Sequence, residues 1–422
     1  MVASVPQPPL IATPTGQPYT AASKWPGPGF DPGTSGQPAR QPSTGLGPFS
    51  GSSRPPASCA AALPPRALPA ACSAAPAGLI RPGSRPAPPS AAAAAANSGA
   101  GPGSGGCPLQ LPPPCSLKLD RATEKRRKEA WAVYGERLQQ KAARVKAEAP
   151  LGHLPGWAMR CVIVKSGDDC RQELLAVQLI HTFDDIFQEA SLPLWLRPYN
   201  VLVTSNRTAM IEVVPDALSI HTVKHRSPPG ASLSDHFFAK WPRGTPECLT
   251  AQRNFTESLA AYSIVCYFLQ IKDRHNGNVL IDDQGHIVHI DFGFMLSNSP
   301  GGVNFEAAPF KLTRELLEVM DSNSEGQPSE LFDYFKVLII QGFLACRKHH
   351  DRLLLLVRMM SKSGLPCFKA GDRAVKAMEK RFALQLTEVQ SVQMVLGLIS
   401  DSLDAWRTRQ YDYYQRLLNG IL

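Results

Sequence analysis

The spacing of apolar residues predicts two long helices in the middle of the chain. In the first, apolar side chains recur at intervals of three and four residues: Leu175, Leu179, Phe183 and Ile186. This spacing puts them on one helical face, which we expect to pack on a sheet, with Gln172 and Gln178 elsewhere. Asp168 or Asp169 is expected to cap this helix. The second helix is expected at residues 251–270, where a largely apolar segment ends directly at polar residues.

Short runs rich in β-branched residues predict the strands of small sheets. They cover residues 159–165, 199–204, 209–212, 278–281 and 286–290. The last two flank the turn sequence DDQG, in which glycine readily adopts the positive φ of a tight hairpin. A solvent-exposed helix is expected at 121–149. From Leu312 to the end the pattern is helical, with breaks near residues 326, 364 and 420.

The order of these elements predicts an α+β fold with two lobes. A small lobe that contains a sheet, at about 151–214, precedes a mostly helical lobe at about 215–422. Residues 118–150 are then a basic helical linker. Residues 1–117 are mostly Pro, Ala, Gly and Ser, bury too little apolar surface to fold, and are expected to be disordered.

Charge and cysteine content narrow the function classes. The net charge of +9 comes from the first 150 residues, and the near-neutral remainder argues against a nucleic-acid-binding core. The basic run 125–128 suits either anionic phospholipid or a solvated helix face. The ten cysteines show no CxxC spacing, and neither a signal peptide nor a long apolar span is recognisable. We therefore expect a cytoplasmic protein that reaches any lipid substrate from the membrane surface.

Three short elements carry residues that suit phosphoryl transfer. Lys165 ends a predicted strand, the sequence DRHNGN at 273–278 follows the second long helix, and DFG at 291–293 follows the hairpin. Lys165 would neutralise nucleotide phosphates, while Asn278 and Asp291 would hold Mg²⁺. Asp273 or His275 would accept the proton of the attacking hydroxyl. Each element alone is weak, but their joint order on strand, loop and hairpin predicts a kinase.

The longer sequences around these elements identify the family. The loop reads DRH instead of the HRD of protein kinases, and no GxGxxGxV precedes Lys165. Instead, three segments closely resemble the phosphatidylinositol 3- and 4-kinase family: VIVKSGDDCRQE at 162–173, KDRHNGNV at 272–279 and HIVHIDFGF at 286–294. Five others are similar to the beta group of type III phosphatidylinositol 4-kinases: GHLPGW at 152–157, AQRNF at 251–255, FKLT at 310–313, LPCF at 365–368 and NGIL at 419–422.

The resemblance implies a protein-kinase-like catalytic domain that uses ATP and Mg²⁺, with Mn²⁺ as an alternative. Glu173 is then the acidic partner of Lys165, and the backbone of Glu212 and Val214 binds adenine in a hinge. The activation segment from Asp291 to Lys311 contains only Glu306 as a further charge. A single lysine, Lys311, suits unphosphorylated phosphatidylinositol better than a phosphorylated headgroup. A 3-kinase acting on the same lipid fits this segment nearly as well.

Two features leave alternatives open. Upstream of Gly152 the resemblance fades, whereas the family has its first small-lobe strands and a phosphate-binding loop there. The chain is thus either an incomplete or alternatively spliced active kinase, or a catalytically impaired scaffold with exposed apolar surface on the Lys165 strand. The basic aromatic segment 406–418 either lies in the membrane interface or packs on the large lobe.

The resemblance also implies a cellular setting. Members of the family act as peripheral proteins on the Golgi and other endomembranes. We therefore expect this chain at those membranes, with the rough endoplasmic reticulum and the mitochondrial outer membrane as further sites. Golgi adaptor proteins and small GTPases are the implied partners, beside phosphatidylinositol itself.

Overall fold

The computed structural model describes residues 119–300 and 308–422. The predicted disordered region 1–117 and Glu306 lie outside the described residues. The described part contains helices and small antiparallel sheets, which confirms the predicted α+β class.

The small lobe is a three-stranded antiparallel sheet with one helix. Its strands are β1 (Val162–Ser166), β2 (Val201–Ser205) and β3 (Thr208–Glu212), in the order β1-β3-β2. Helix α3 (Arg171–Glu189) buries the predicted apolar face completely. That face contacts β2, as expected, and also helices of the large lobe. The predicted cap at Asp168 or Asp169 was wrong, because the capping residue is Cys170. The Asp169 carboxylate accepts a hydrogen bond from Arg171 N at 3.1 Å.

The outer face of this small sheet is apolar and open. Val164 pairs with Met210, which pairs with Leu202, so the three side chains form a row across the sheet. They are 68%, 41% and 60% exposed. Strand β1 also has a free edge among the described residues. This arrangement confirms the expectation that apolar surface around the Lys165 strand is uncovered.

The region predicted as one helix at 121–149 is two helices, α1 (Arg121–Ala132) and α2 (Leu138–Glu148), separated at Gly135, whose φ is +72°. Helix α1 is not a free solvated helix. The Lys240 ammonium is fully buried and lies 4.3 Å, 3.5 Å and 4.2 Å from the ring centres of Trp131, Tyr134 and Trp241. These cation–π contacts attach the helix to the large lobe.

The large lobe is built around α6 (Pro246–Leu269), which is buried along most of its length. A second antiparallel sheet has the order β4-β5-β6, with β4 (Ala217–Ser219), β5 (Val279–Asp282) and β6 (Ile287–His289). The predicted hairpin is therefore confirmed. The pattern did not predict β4 or two short helices, α4 (Ile220–Arg226) and α5 (Leu233–Lys240).

The C-terminal third is helical, as predicted, with more interruptions than expected. Its elements are α7 (Arg314–Val319), α8 (Glu330–Lys348), α9 (His350–Met360), a 3-10 turn (Pro366–Phe368), α10 (Asp372–Arg381), α11 (Glu388–Ser402) and α12 (Trp406–Asn419). Within the described residues, no helix combines the length and the apolarity that crossing a bilayer requires.

The contact of α8 with α6 depends on a missing side chain. A Cβ on Gly342 would lie 2.4 Å from Ile264 Cδ1 and 2.6 Å from Leu194 Cδ1. We expect Gly342→Ala to lower the free energy of unfolding by about 1–3 kcal/mol, because the surrounding core must shift to accept the methyl group. Urea denaturation measures this change.

The matched control is Gly397→Ala in α11, where an added Cβ meets nothing within 4 Å. Alanine is the better helix former, so this variant should gain about 0.5–1 kcal/mol. Equal effects of the two substitutions would contradict the tight α6–α8 packing.

Candidate active site

The hairpin of β5 and β6 brings two of the predicted site residues together. Val279 pairs with His289, and Ile290 N donates to Asn278 O at 3.1 Å. Asn278 and Asp291 consequently stand at the same end of the hairpin, although twelve residues of strand and turn separate them in the chain. The antiparallel register alone produces this approach.

Arg274 fixes the backbone on both sides of this end. Its buried guanidinium donates to Lys272 O at 3.0 Å, to Ile290 O at 2.7 Å and to Asp291 O. Asp273 and Asp291 both have positive φ, +64° and +59°, which is a strained backbone for residues other than glycine. The hydrogen bonds of Arg274 hold both segments in place.

Asn278 and Asp291 present oxygen ligands. Asn278 Nδ2 donates to Asp273 O at 3.0 Å, so the amide oxygen remains as an acceptor. Asp291 is exposed, and its Oδ1 accepts from Gly293 N at 3.2 Å. No cluster of three or more His, Cys, Asp or Glu side chains suited to a metal exists in the described ranges. Two oxygen donors, one of them a carboxylate, fit Mg²⁺, which commonly takes one or two protein oxygens together with phosphate and water.

Asp273 and His275 lie side by side beneath α12. His275 Nε2 is 3.6 Å from Asp273 Oδ1, and Tyr411 of α12 donates its hydroxyl to the same carboxylate. Burial lowers the pKa of His275, which favours the neutral ring. His275 Nδ1 accepts from Gly277 N at 3.1 Å, so the neutral ring carries its proton on Nε2, facing Asp273.

Glu173 binds the backbone of the DFG segment. Its Oε2 accepts from Phe292 N at 2.6 Å, and its Oε1 accepts from the Tyr199 hydroxyl. Burial raises the pKa of Glu173. No ion pair joins Glu173 to Lys165 in the portion of the chain that the structure covers. The pairing of these two residues was expected from the resemblance and stays a prediction.

The expected hinge connects the two sheets. Strand β3 ends at Glu212, and three residues beyond Val214 the chain enters β4 of the second sheet. Glu212 N donates to Asn200 O at 2.8 Å and Val213 N to Cys161 O at 3.0 Å. The segment that contains Glu212 and Val214 thus lies at the junction of the lobes, where the resemblance puts adenine.

Lys311 is not free to meet a headgroup. It is buried, and its Nζ donates to Asn276 Oδ1 at 2.9 Å and to both carboxylate oxygens of Asp412 at 2.8 Å. The chain end adds to this contact, since Asn276 Nδ2 donates to Leu422 O at 3.0 Å. Segment 406–418 therefore packs on the large lobe, which is one of the two arrangements expected from the sequence.

Sequence reasoning missed several side chains that shape the site: Gln172, Tyr199, Arg274 and Tyr411. Gln172 had a usable signal, because it lies three residues before Leu175 and so extends the apolar face of α3 by one turn. The other three contact partners far away in sequence, and nothing in their local pattern indicates those contacts.

These observations define a two-lobed, kinase-like fold. Residues 161–370 match the family described as phosphatidylinositol 3- and 4-kinase. The chain therefore contains a phosphatidylinositol 3- and 4-kinase domain.

Several curated relatives are similar to about 70% of the chain. Phosphatidylinositol 4-kinase beta 1 of Arabidopsis thaliana is 66% identical over 295 residues, which is 70% of this chain and 26% of the relative. Phosphatidylinositol 4-kinase of Dictyostelium discoideum is 50% identical over 70% of this chain and 25% of its own length. Phosphatidylinositol 4-kinase beta of Xenopus tropicalis is 45% identical over 70% of this chain and 35% of its own length. The chain thus spans about a quarter to a third of these relatives.

The ion pair between Lys311 and Asp412 yields a test of how α12 is held. We expect Asp412→Asn to weaken the docking of α12 by roughly 2 kcal/mol, because a buried ammonium loses its counter-charge. Hydrogen exchange of α12 amides should accelerate by at least about tenfold. Asp401→Asn, an exposed aspartate in α11, is the control and should leave exchange unchanged. Slow exchange in both variants would contradict the role of the pair.

Proposed function

We propose that this chain transfers the γ-phosphate of ATP to the 4-hydroxyl of phosphatidylinositol. The observation that carries the proposal is the approach of Asn278 and Asp291 at one end of the β5–β6 hairpin, with Asn278 Nδ2 donating to the backbone carbonyl of Asp273. This arrangement provides metal ligands and a proton acceptor within one small region. The 4-position follows from the relatives, which are named phosphatidylinositol 4-kinases.

In the proposed reaction, the inositol hydroxyl oxygen attacks the γ-phosphorus while the bond to the bridging oxygen breaks and ADP leaves. The hydroxyl proton passes to Asp273. His275 is the weaker candidate, because its Nδ1 lone pair already accepts from Gly277 N and its Nε2 carries the proton. His275 instead orients the Asp273 carboxylate, 3.6 Å away.

The remaining roles follow from charge and position. Asn278 and Asp291 would hold Mg²⁺ or Mn²⁺, and the cation, when bound, neutralises phosphate charge. Lys165 binds nucleotide phosphates from β1. The carbonyl of Glu212 and the N–H of Val214 bind adenine at the junction of the two sheets.

The exposed side of α12 supports peripheral membrane binding. Five large aromatic and aliphatic side chains on this side are between 46% and 72% exposed: Trp406, Tyr413, Tyr414, Leu417 and Leu418. Aromatic side chains beside arginines are typical of helices that lie in a membrane interface. We propose that this face meets the bilayer that contains the substrate. Golgi and other endomembranes, adaptor proteins and small GTPases are further proposals from the family.

A second function is favoured by the open outer face of the small sheet. Val164, Leu202 and Met210 are exposed, and β1 has a free edge in the described part. A small lobe without the family's phosphate-binding loop provides fewer backbone N–H groups to nucleotide phosphates than a lobe that has this loop. Such a lobe suits a catalytically impaired scaffold. The intact set of Lys165, Asp273, Asn278 and Asp291 favours the kinase.

The kinase proposal predicts transfer of labelled γ-phosphate from Mg·ATP to phosphatidylinositol vesicles by the full chain. Asp291→Asn should reduce this transfer by about 100-fold or more, because one anionic metal ligand is lost. Asp401→Asn is the matched control and should retain full activity, since Asp401 is exposed and distant in sequence from the site. Headgroup chromatography should identify a 4-phosphate product.

Other results would separate the alternatives. A 3-phosphate product would make the chain a 3-kinase. A folded chain without any incorporation would support the scaffold.

A further inference from the structure

Gln172 is a buried amide that joins three segments of the chain. It lies in the first turn of α3 and is 4% exposed. Its Nε2 donates to Phe292 O at 3.0 Å and to Gly293 O at 2.6 Å, while its Oε1 accepts from Cys367 N at 2.9 Å. Three good hydrogen bonds from one buried side chain leave little freedom for any of these partners.

Gln172 and its neighbour Glu173 bind the same residue from two directions. Glu173 Oε2 accepts from Phe292 N at 2.6 Å, and Gln172 donates to the carbonyl of Phe292. Both backbone polar groups of Phe292 are therefore bound by adjacent side chains of α3. The peptide that follows Asp291 cannot rotate unless these hydrogen bonds break.

This restraint matters because Asp291 has a strained backbone. Its φ of +59° is a conformation that costs about 1–2 kcal/mol for a residue other than glycine. Such a conformation persists only where the surroundings hold it. Arg274 binds Ile290 O and Asp291 O on one side, and Gln172 binds Phe292 O and Gly293 O on the other.

The contact with Cys367 extends the restraint beyond the DFG segment. Cys367 O accepts from the Ser297 hydroxyl at 2.7 Å and from Ser297 N at 3.3 Å. Cys367 therefore binds Gln172 through its own N–H and binds Ser297 through its own carbonyl. Ser297 lies four positions after Gly293. The first turn of α3, the start of the activation segment and the 3-10 turn at Pro366–Phe368 form one hydrogen-bonded unit.

We propose that Gln172 is a positioning residue that sets the carboxylate of Asp291 for metal binding. It touches neither substrate nor metal, and it acts through the backbone of Phe292 and Gly293. The proposal rests on the kinase function proposed above, since it assumes that Asp291 binds the nucleotide-associated cation. Only an amide supplies donors to two carbonyls and an acceptor for an N–H from one side chain.

Two substitutions separate positioning from simple support of the fold. Gln172→Leu keeps the approximate volume but removes the hydrogen bonds to Phe292 O and Cys367 N, and leaves Gly293 O with Asn298 Nδ2 as its donor. Gln172→Glu keeps the shape and the acceptor for Cys367 N but sets a carboxylate oxygen against the carbonyls of Phe292 and Gly293. Gln178→Leu, the same change at an exposed position of the same helix, is the matched control.

The test is a titration of Mn²⁺ into the full chain with a non-hydrolysable ATP analogue, followed by the electron paramagnetic resonance signal of free Mn²⁺. Loss of an outer residue that orients a metal ligand commonly weakens metal affinity by about 10–100-fold. We therefore expect both Gln172 variants to bind nucleotide-dependent Mn²⁺ about tenfold more weakly, and Gln178→Leu to bind it as the unmodified chain does. In lipid phosphorylation, kcat should fall more than KM for ATP rises.

Circular dichroism and thermal unfolding accompany each titration. Unchanged Mn²⁺ affinity in a folded Gln172→Glu variant would overturn the proposal, and so would unfolding of both variants, which would make the role structural. Absence of nucleotide-dependent Mn²⁺ binding by the unmodified chain would remove its premise and overturn it too. The two proposals can also fail separately. If the unmodified chain phosphorylates no lipid but the variants still bind Mn²⁺ more weakly than it does, the positioning role is supported and the proposed function is contradicted.

Discussion

The pairing of β5 with β6 is the constraint on which the site depends. Antiparallel strands place residues opposite one another regardless of the turn between them, so the register that sets Val279 against His289 also sets Asn278 beside Ile290. Asp273 is attached to Asn278 through its backbone carbonyl, and Arg274 joins the loop to the strand end. A shift of one residue would turn each strand side chain to the opposite face and separate the two proposed metal ligands.

Most of the fold was predictable because its signals are local. The apolar face of α3 and the β-branched runs of β1, β3 and β5 reflect the periods of helix and strand, which a sequence displays directly. Strand β4 has only three residues and no β-branched run, and α5 has only eight residues, too few to repeat a helical period clearly. The break between α1 and α2 at Gly135 was also missed, since a single glycine is tolerated in many helices.

The sequence predicts a chemistry for the site, which stays a prediction, and it predicts few of the contacts around the site residues. The sequence order of Lys165, Asp273, Asn278 and Asp291 indicates phosphoryl transfer because few other reactions need that combination. The surroundings of these residues depend on partners distant in the chain: Gln172 binds Phe292 across 120 positions, and Lys311 binds Asp412 across 101. Such contacts leave no periodic trace, so Lys311 looked like a free lysine of an activation segment and is instead buried beneath α12.

The three aromatic rings around Lys240 make the segment before Gly152 part of the folded domain. Two of the three rings, Trp131 and Tyr134, come from the region that the sequence pattern predicts as a linker, and the third, Trp241, comes from the large lobe. A fragment cut at Gly152 would expose an ammonium and a tryptophan that the intact chain keeps from water. A piece suited to expression therefore begins ahead of Asp120, about thirty residues before Gly152.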